Sequence, residues 1–439
     1  MNEIAIREKI KKNIKEFFDS KADEKFVPGK TKIRYAGAVY SHEEINSIVD
    51  AALNGWFGLG KYAREFADGL NNFIGSKEVI LANSGSSASL LAITSLTSPE
   101  LQDKLSIGDE VITPACTFPT TFNPIIQNGL KPVMLDIVPG TYNIFAEKIS
   151  EAISKKTRLV VLPHTLGNPN EMDTVMKIAK ENNLFVIEDN CDALGSKYAG
   201  KFTGTFGIMG TLSLYPAHHI TTGEGGAIFL NDLRFSKIIK SYRDWGRACY
   251  CESTETNPFG ACGMRFNWNL EGKDGLTYDH KYMYNHIGYN LKPTEIQIAM
   301  GVEQLKRLPL FIEKRKINFK ILCEELGFLD KYFIMPKSLK KADPCWFSFP
   351  LTIRDHRKID RKEICTFLEK QNIETRYIFS GNILRHPAYK YVHPRIVGSL
   401  ENSDKVIMDS FFVGVYPGNT EEKTKFIASK IKEFVSKLN

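Results

Sequence analysis

Four of the eight cysteines in this chain have a spacing that suits metal binding. Cys191, Cys249, Cys251 and Cys262 are separated by intervals of 57, 1 and 10 residues. Four thiolates suit a [2Fe–2S] cluster or a structural zinc ion, and four unrelated buried thiols are the alternative. The remaining cysteines are interpreted as ordinary core residues: Cys116, Cys323, Cys345 and Cys365.

A second set of residues suits a flat, phosphorylated cofactor. In NSGSSASLL, Gly85 and Ser86 would begin a helix directly after a strand, where free N–H groups attract a phosphate; a plain helix cap is the alternative. Phe118 ends a strand in TPACTFPTT, either as core packing or as a ring stacked on the cofactor. Asp189 ends the strand of VIEDNCDALGS, where a carboxylate could keep a pyridine nitrogen protonated. Ser213 begins the stretch SLYPAHHITTGEGGAIF.

The elements that must position these residues alternate between strand and helix. Five short apolar runs rich in β-branched residues are predicted strands: EVILAN, DEVITPA, KPVMLDI, TRLVVLP and LFVIEDN. Helical patterns lie between them, so we expect an α/β fold with a mostly parallel sheet covered by helices. Ligands of such sheets gather at the carboxyl ends of the strands, where the residues above lie. Cys191 follows Asp189 by two residues, so on an extended strand both side chains would share one face.

The chain of 439 residues is too long for one compact core, so we expect more than one domain. Residues 1–40 are predicted to form a helix and an irregular arm. Residues 41–300 would form a large cofactor-binding domain that includes the cysteine-bearing loop 249–262. Residues 301–439 would form a smaller C-terminal α/β domain. A long helix near 292–328, bent at Pro309, is predicted between the two.

Composition argues against nucleic-acid and membrane partners. The net charge of +7 is modest, and the basic residues are scattered over presumed helix surfaces, as in EKRKINFK. No apolar run approaches the roughly 18 to 20 residues that span a bilayer, and the N-terminus lacks the apolar centre of a signal peptide. We therefore expect a cytoplasmic protein without disulfides.

In combination these motifs resemble the DegT/DnrJ/EryC1/StrS family of sugar aminotransferases and dehydratases, which are pyridoxal-phosphate (PLP) enzymes of fold type I. The resemblance rests on EDNCDALGS, SLYPAHHITTGEGGA and HIGYNLKPTEIQIAMGVEQL, and it covers nearly all of the chain from about residue 30. It implies a seven-stranded, mostly parallel sheet in the large domain. It also implies that Asp189 pairs with the pyridine nitrogen and that Phe118 stacks on the ring. The implied phosphate ligands are Gly85, Ser86, Ser213 and, from a neighbouring subunit of a homodimer, Asn290.

His218 stands where aminotransferases of the family carry the lysine that binds the cofactor covalently. An imidazole cannot form that bond, but it can move protons near neutral pH. The resemblance therefore implies that the cofactor acts in its amine form, pyridoxamine 5′-phosphate (PMP), on a ketone of the substrate. His218 would remove a proton from the C4′ carbon of the cofactor and so drive dehydration rather than transamination. Asp192 replaces a common glutamine, and it either orients the cofactor or His218 or simply caps a turn.

The histidine and the cysteines together resemble the iron–sulfur 3-dehydrases of 3,6-dideoxyhexose synthesis, a subgroup of this family. That subgroup has a Cys-x57-Cys-x-Cys-x7-Cys pattern, and this chain matches the first two intervals but has 10 residues in the third. The resemblance implies 3-deoxygenation of CDP-4-keto-6-deoxy-D-glucose for lipopolysaccharide O-antigen biosynthesis. An NAD(P)H-dependent flavin or iron–sulfur reductase would supply electrons through the [2Fe–2S] cluster.

Three other functions stay open at this stage. A cluster-free GDP- or dTDP-sugar 3-dehydratase would have the same histidine, but the cysteines argue against it. An ordinary sugar aminotransferase is disfavoured by His218. A non-catalytic redox or ligand sensor could keep both a cofactor pocket and a cluster, although no DNA-binding module is visible in the sequence.

Overall fold

The computed structural model describes residues 2–21, 25–249, 251, 265–270 and 275–438. The helices of this part of the chain are α1 Glu3–Asp19, α2 His42–Leu53, α3 Lys61–Ile74, α4 Gly85–Ser95, α5 Pro119–Gln127, α6 Met172–Glu181, α7 Ser236–Arg243, α8 Glu295–Leu326, α9 Arg361–Lys370, α10 Glu401–Asp409 and α11 Glu421–Ser436. Within the described residues, none of these helices is long and apolar enough to cross a membrane.

The strands are named in the same chain order. They are β1 Glu78–Ala82, β2 Glu110–Pro114, β3 Lys131–Leu135, β4 Thr157–Pro163, β5 Phe185–Asp189, β6 Lys197–Tyr198, β7 Lys201–Phe202, β8 Met209–Ser213, β9 Gly226–Leu230, β10 Trp268–Asn269, β11 Thr277–Tyr278, β12 Phe333–Ile334, β13 Ala342–Asp343, β14 Ser348–Ile353, β15 Thr375–Tyr377, β16 Arg395–Ile396 and β17 Ser410–Gly414. The first five contain the cores of the five apolar runs that the sequence predicts as strands.

An eight-stranded sheet carries the cofactor motifs, in the order β1-β9-β8-β5-β4-β2-β3-β16. Five of its strand pairs are parallel, and only β9 runs antiparallel to its two neighbours. Every residue of β2 and β9 is buried, as expected for a sheet that is covered on both faces. The predicted α/β class with a mostly parallel sheet is confirmed. The eighth strand was not anticipated, because β16 is only two residues long and lies far away in the sequence.

The C-terminal part forms a smaller sheet in the order β12-β14-β17-β15. All of its strand pairs are antiparallel. Helices α9 and α11 pack beside it, and its core includes the fully buried Phe349, Leu351 and Phe411. The arm that precedes α2 contacts the segment before β15, because the Ile33 N–H donates to the Asn372 carbonyl oxygen at 2.8 Å and Ile33 forms an isolated bridge with Ile373.

The helix boundaries follow local capping signals. Ser41 and Glu44 form a capping box at the start of α2, and Thr294 does the same with Gln297 at the start of α8. Helix α8 is 32 residues long, and Pro309 lies inside it without ending it. The helix therefore passes across the predicted domain boundary at residue 300, and the division into domains stays a prediction.

Candidate cofactor site and cysteine group

A pocket of about 510 Å³ lies at the carboxyl ends of the parallel strands β4 and β5, with the end of β8 beside them. Most residues that the sequence predicts as cofactor ligands line this pocket. They are Gly85, Ser86, Phe118, Asp189, Asp192, Ser213 and His218. Side chains of the C-terminal part close the opposite wall: Phe347, Arg376, Tyr377, Phe379 and Phe412.

The start of helix α4 forms one end of the pocket. Ser84 caps the helix by accepting a hydrogen bond from the Ser87 N–H at 3.0 Å, while the first N–H groups of a helix have no partner within it. A Cβ atom on Gly85 would lie 2.5 Å from the Cβ atom of Ser213, so only glycine allows the helix to approach strand β8 this closely. The result is a small cradle of backbone N–H groups and a serine hydroxyl, which fits a phosphate.

Asp189 is held at the end of β5 with its carboxylate facing the pocket. Its side chain is nearly buried, with 7% of the residue exposed. One oxygen, Oδ2, accepts a hydrogen bond from Thr121 Oγ1 at 2.5 Å, and Oδ1 accepts one from the Cys191 N–H at 3.2 Å. A carboxylate fixed in this way suits the protonated nitrogen of a pyridine ring.

Phe118 is not a core residue, because 49% of its surface is exposed and its ring lines the pocket. The ring packs edge to face against Phe379, with the two centroids 5.9 Å apart. This contact fixes one edge of the Phe118 ring. The face of the ring is left available for stacking on a flat ligand. The residue therefore fits the stacking role better than the core-packing alternative.

His218 lies beside Asp192 in the same pocket. The distance from His218 Nδ1 to Asp192 Oδ1 is 3.4 Å, and the two side chains are only 16% and 14% exposed. The neighbouring His219 points away, with Nε2 2.9 Å from the carbonyl oxygen of Cys345. Burial lowers the pKa of His219 well below its usual value. Of the two adjacent histidines, His218 is therefore the one that can act on a ligand of the pocket.

The described residues that line the pocket include no lysine. A PLP-type cofactor in this pocket would have no primary amine within the described wall to which it could be bonded covalently. The phosphate cradle, the carboxylate of Asp189 and the exposed face of Phe118 nevertheless fit such a cofactor. This combination favours a cofactor that is held without a covalent bond.

Arg315, which sequence reasoning missed, binds the backbone of the loop that carries His218. It belongs to the stretch EKRKINFK that the sequence assigns to a helix surface, but it is only 1% exposed, and that assignment is wrong for this residue. Its guanidinium donates to the carbonyl oxygens of His218 at 3.2 Å and of Phe347 at 2.9 Å. Burial lowers the pKa of Arg315 to about 10. The residue therefore fixes the backbone that carries the histidine.

Asn290 is absent from the described wall of the cofactor pocket. It forms a backbone bridge with Asp244, which lines a second pocket of about 470 Å³. The predicted contact of Asn290 is with the cofactor phosphate in a neighbouring subunit. The structure of a single chain does not test this contact. The role of Asn290 and the homodimer stay predictions.

Cys249 and Cys251 come together, but a histidine rather than Cys191 joins them. The two sulfur atoms and a ring nitrogen of His280 all lie within 4.8 Å of one another. Cys191 is not in this group and lines the cofactor pocket instead. Cys262 lies outside the described residues. Among the cysteines interpreted as core residues, Cys116, Cys345 and Cys365 are buried and Cys323 is partly buried.

The chain turns directly after β5, although Asp189 and Cys191 both line the cofactor pocket, and the role of Cys191 as a cluster ligand stays a prediction. The Cys191 N–H donates back to the Asp189 side chain, which is the geometry of a turn and not of an extended strand. The rule that residues i and i+2 share one face therefore does not apply here. Burial and the charge of Asp189 raise the pKa of the Cys191 thiol well above its usual value.

The chain was compared with known protein families and with curated proteins. Residues 39–432 match the model of the DegT/DnrJ/EryC1/StrS aminotransferase family, and the chain belongs to this family. It is 44% identical to the lipopolysaccharide biosynthesis protein RfbH of Salmonella typhimurium, with 98% of each chain covered. It is 45% identical to the dTDP-4-dehydro-2,6-dideoxy-D-glucose 3-dehydratase of Saccharopolyspora spinosa, over 98% of this chain and 92% of that protein.

The fold is also similar to that of a solved structure. The GDP-4-keto-6-deoxy-D-mannose 3-dehydratase of E. coli with bound hydrated PLP matches with a TM-score of 0.81 and 28% identity. The match covers 91% of this chain and 100% of that one. The predicted family, the fold type and the prediction that the chain is an enzyme are confirmed.

Proposed function

We propose that the chain is a PMP-dependent nucleotide-sugar 3-dehydratase that acts on a 4-keto-6-deoxyhexose. The observation that carries this proposal is His218, which faces a cofactor pocket whose described wall contains no lysine. Relatives in the same family that are named 3-dehydratases support the choice of reaction. An aminotransferase would need the missing primary amine to regenerate its cofactor.

Different residues of the pocket would bind the cofactor and carry out proton transfer. When bound, PMP supplies an amine for the substrate ketone and a ring that accepts electrons. Gly85, Ser86 and Ser213 bind the phosphate, and Phe118 stacks on the ring. Asp189 keeps the pyridine nitrogen protonated, because its carboxylate is fixed by Thr121 and by a backbone N–H.

His218 moves the proton on which the elimination depends. It takes the proton from C4′ as a general base, while Asp192, whose Oδ1 lies 3.4 Å from Nδ1, orients the imidazole. The C3–O bond of the sugar then breaks, and the hydroxyl group leaves as water after it gains a proton. Arg315 keeps the His218 backbone in place during this step.

Complete deoxygenation also needs reduction. Substrate, two electrons and two protons give the 3-deoxy product and one water. We propose that Cys249 and Cys251 would hold a [2Fe–2S] cluster, with Cys191 and Cys262 as the other two ligands that the sequence predicts. Such a cluster would supply one-electron chemistry, with the electrons coming from an NAD(P)H-dependent flavin or iron–sulfur reductase. The C-x-C spacing of the two cysteines and the convergence of their sulfur atoms support this step. The active unit is proposed to be a homodimer, to which Asn290 contributes across the interface.

The proposed substrate is CDP-4-keto-6-deoxy-D-glucose, as the resemblance to the iron–sulfur 3-dehydrases implies. A dTDP-linked 4-keto-2,6-dideoxyhexose is the second candidate, because the Saccharopolyspora spinosa relative, 45% identical, is named for that substrate. Both sugars present the same 4-keto group and 3-hydroxyl group to the cofactor. The choice between them lies in the contacts to the nucleotide.

The test is turnover by anaerobically purified protein that has been loaded with PMP. Each nucleotide sugar is supplied with and without a reductase and NADH, and the product is identified by mass spectrometry. We expect C3-deoxygenated product only when the reductase is present. Without the reductase, exchange of solvent label into C4′ should still occur. Formation of a 4-amino sugar from glutamate would overturn the proposal in favour of transamination.

A further inference from the structure

We propose that the hydroxyl group of Thr165 binds the ring hydroxyl oxygen of the cofactor. This inference rests on the proposed use of PMP. The polar groups of PMP are the pyridine nitrogen, the phosphate, the amine and the ring hydroxyl group. The nitrogen is assigned to Asp189, the phosphate to the cradle at Gly85 and Ser213, and the amine to the substrate ketone. The ring hydroxyl group is the polar group that still needs a partner.

Thr165 is a buried residue of the cofactor pocket with an unused hydroxyl group. It is 1% exposed and lines the pocket. Its Oγ1 atom has no hydrogen-bond partner among the residues that the structure describes. Buried polar side-chain atoms in folded proteins nearly always have a partner. An unpaired hydroxyl group in the wall of a ligand pocket therefore points to a contact that the ligand completes.

The order of the strands places Thr165 on the side of Asp189 that is opposite to the phosphate cradle. Strand β5, which ends at Asp189, lies between β8, which ends at Ser213, and β4. The last residue of β4, Pro163, is in register with Asp189, and Thr165 follows it by two residues. In PMP the phosphate arm and the ring hydroxyl group lie on opposite sides of the line from the nitrogen to the carbon that carries the amine. With the nitrogen at Asp189 and the phosphate beside β8, the hydroxyl group faces β4.

The turn that carries Thr165 is held in an unfavourable backbone conformation. The φ angles of the next two residues, Leu166 and Gly167, are 55° and 88°. A Cβ atom on Gly167 would lie 2.3 Å from the carbonyl oxygen of Cys345, so only glycine fits there. The Thr165 N–H donates to Asn143 Oδ1 at 3.1 Å. Such conformations persist only where the surrounding structure holds them, and they concentrate at functional sites. The backbone that presents Thr165 is therefore fixed before a ligand binds.

A threonine hydroxyl group has the chemistry that this oxygen needs. A protonated pyridine nitrogen favours the ionised form of the ring hydroxyl group, which then only accepts hydrogen bonds. The carboxylate of Asp192 also only accepts, so it is a poor partner for this oxygen, and it already lies 3.4 Å from His218 Nδ1. A threonine hydroxyl group can donate. Thr165 therefore supplies a donor that Asp192 cannot.

Thr117 provides a matched comparison within the same pocket. It is also a threonine, it is 1% exposed, and its Oγ1 atom likewise has no partner within the described part of the chain. Thr117 follows β2, and β4 lies between β2 and β5 in the sheet. Thr117 is therefore one strand farther from Asp189 than Thr165 is. The strand order assigns the ring oxygen to Thr165 and not to Thr117.

The test compares PMP with an analogue that lacks the ring hydroxyl group, using the full-length protein and isothermal titration calorimetry. Thr165→Val, which keeps the shape of the side chain, should weaken PMP binding by roughly 10- to 100-fold, because the ionised oxygen loses its donor. The same variant should bind the analogue as tightly as the unmodified protein does. Thr165→Ser keeps the hydroxyl group and should restore most of the PMP affinity. Thr117→Val should change the affinities for the two ligands equally.

A spectroscopic measurement adds a readout that a purely structural role would not change. The pKa of the ring hydroxyl group of bound PMP, followed by absorbance against pH, should rise in Thr165→Val, because the donor stabilises the ionised oxygen. An equal loss of affinity for PMP and for the analogue would overturn the inference and leave the proposed cofactor in place. A loss specific to PMP in Thr117→Val, and not in Thr165→Val, would also overturn it. Failure of the unmodified protein to bind PMP would overturn the proposed function as well.

Discussion

The imidazole Nδ1 atom of His218 lies 3.4 Å from Oδ1 of Asp192, within a pocket that Asp189 and Phe118 also line. Asp192 therefore contacts the proposed base instead of only capping a turn. Of the sequence-based alternatives, a role in orienting His218 has the stronger geometric support. A mutation of His218 should therefore lower activity more than a mutation of Asp192, because His218 moves the proton and Asp192 only positions His218.

We predict that His218→Asn removes C4′ proton exchange while cofactor binding stays nearly intact. General acid–base catalysis is typically worth about 10²–10⁴-fold, so the loss should fall in this range. Asp192→Asn should lower exchange less than His218→Asn does, because the base is still present. Exchange of deuterium from solvent into the cofactor, followed by mass spectrometry, measures both. A loss below tenfold in His218→Asn would mean that another residue is the base.

We predict that sodium borohydride does not attach the cofactor to the chain, because the described pocket wall contains no lysine. The matched positive control is His218→Lys, which restores a primary amine at the same position and should become labelled under identical conditions. Peptide mapping of the treated protein reads out both cases. A labelled lysine in the unmodified protein would contradict the proposed non-covalent cofactor.

Gly85→Ala should weaken cofactor binding by at least tenfold. The added Cβ atom would lie 2.5 Å from Ser213 Cβ and 2.9 Å from Ser213 Cα, so either the helix start or strand β8 must move. Gly327→Ala is the control, because a Cβ atom there meets nothing within 4 Å and its φ of −56° suits any residue. Titration with PMP, followed by absorbance, gives the dissociation constants. Equal affinity in the two variants would show that the cradle does not bind the phosphate.

The contact between Glu110 and Arg395 predicts an acid-dependent loss of stability. Arg395 donates to both oxygens of Glu110, at 3.0 and 2.6 Å, and lowers the pKa of this carboxyl group to about 2. Because the folded pKa is depressed, the stabilisation is complete above the unfolded pKa of about 4.3. It is lost as the pH falls from there towards 2.

Urea unfolding midpoints, measured between pH 7 and 2, test this contact. In Glu110→Gln the midpoint should be lower at pH 7, and the difference from the unmodified protein should shrink as the pH falls. Glu151→Gln is the control, since its partner Lys148 is also more than half exposed and such surface pairs contribute little. A constant difference at every pH would mean that the Glu110 charge is not what stabilises this part of the sheet.

The residues that the sequence predicts as cofactor ligands line one pocket because they lie at the ends of strands or at the start of a helix. Gly85 begins α4 after β1, while Asp189 and Ser213 end β5 and β8, two parallel strands whose carboxyl ends lie at one edge. The motif that places His218 in the lysine position was decisive for the same reason, since it follows β8 directly. Local signals therefore specified most of one wall of the pocket.

The residues that were missed depend on contacts between distant segments. Arg315 has the sequence context of an exposed helix residue, and only packing against the His218 loop buries it. His280 lies 31 positions from Cys249, with no spacing rule to link them. The turn after β5, in which the Cys191 N–H donates to the Asp189 side chain, was also missed, because the expectation assumed an extended strand through residue 191. None of these three outcomes can be read from local periodicity.

The two-residue strand β16 has a consequence for how this protein is made. It pairs with Val133 and Met134 of β3 at the edge of the large sheet. A nascent chain of only the first 390 residues does not yet include β16. Its large sheet therefore has unpaired backbone N–H and C=O groups at the edge of β3. Until β16 emerges, this edge of β3 lacks its partner strand, and fragments cut at residue 300 would keep the edge unpaired at Val133 and Met134.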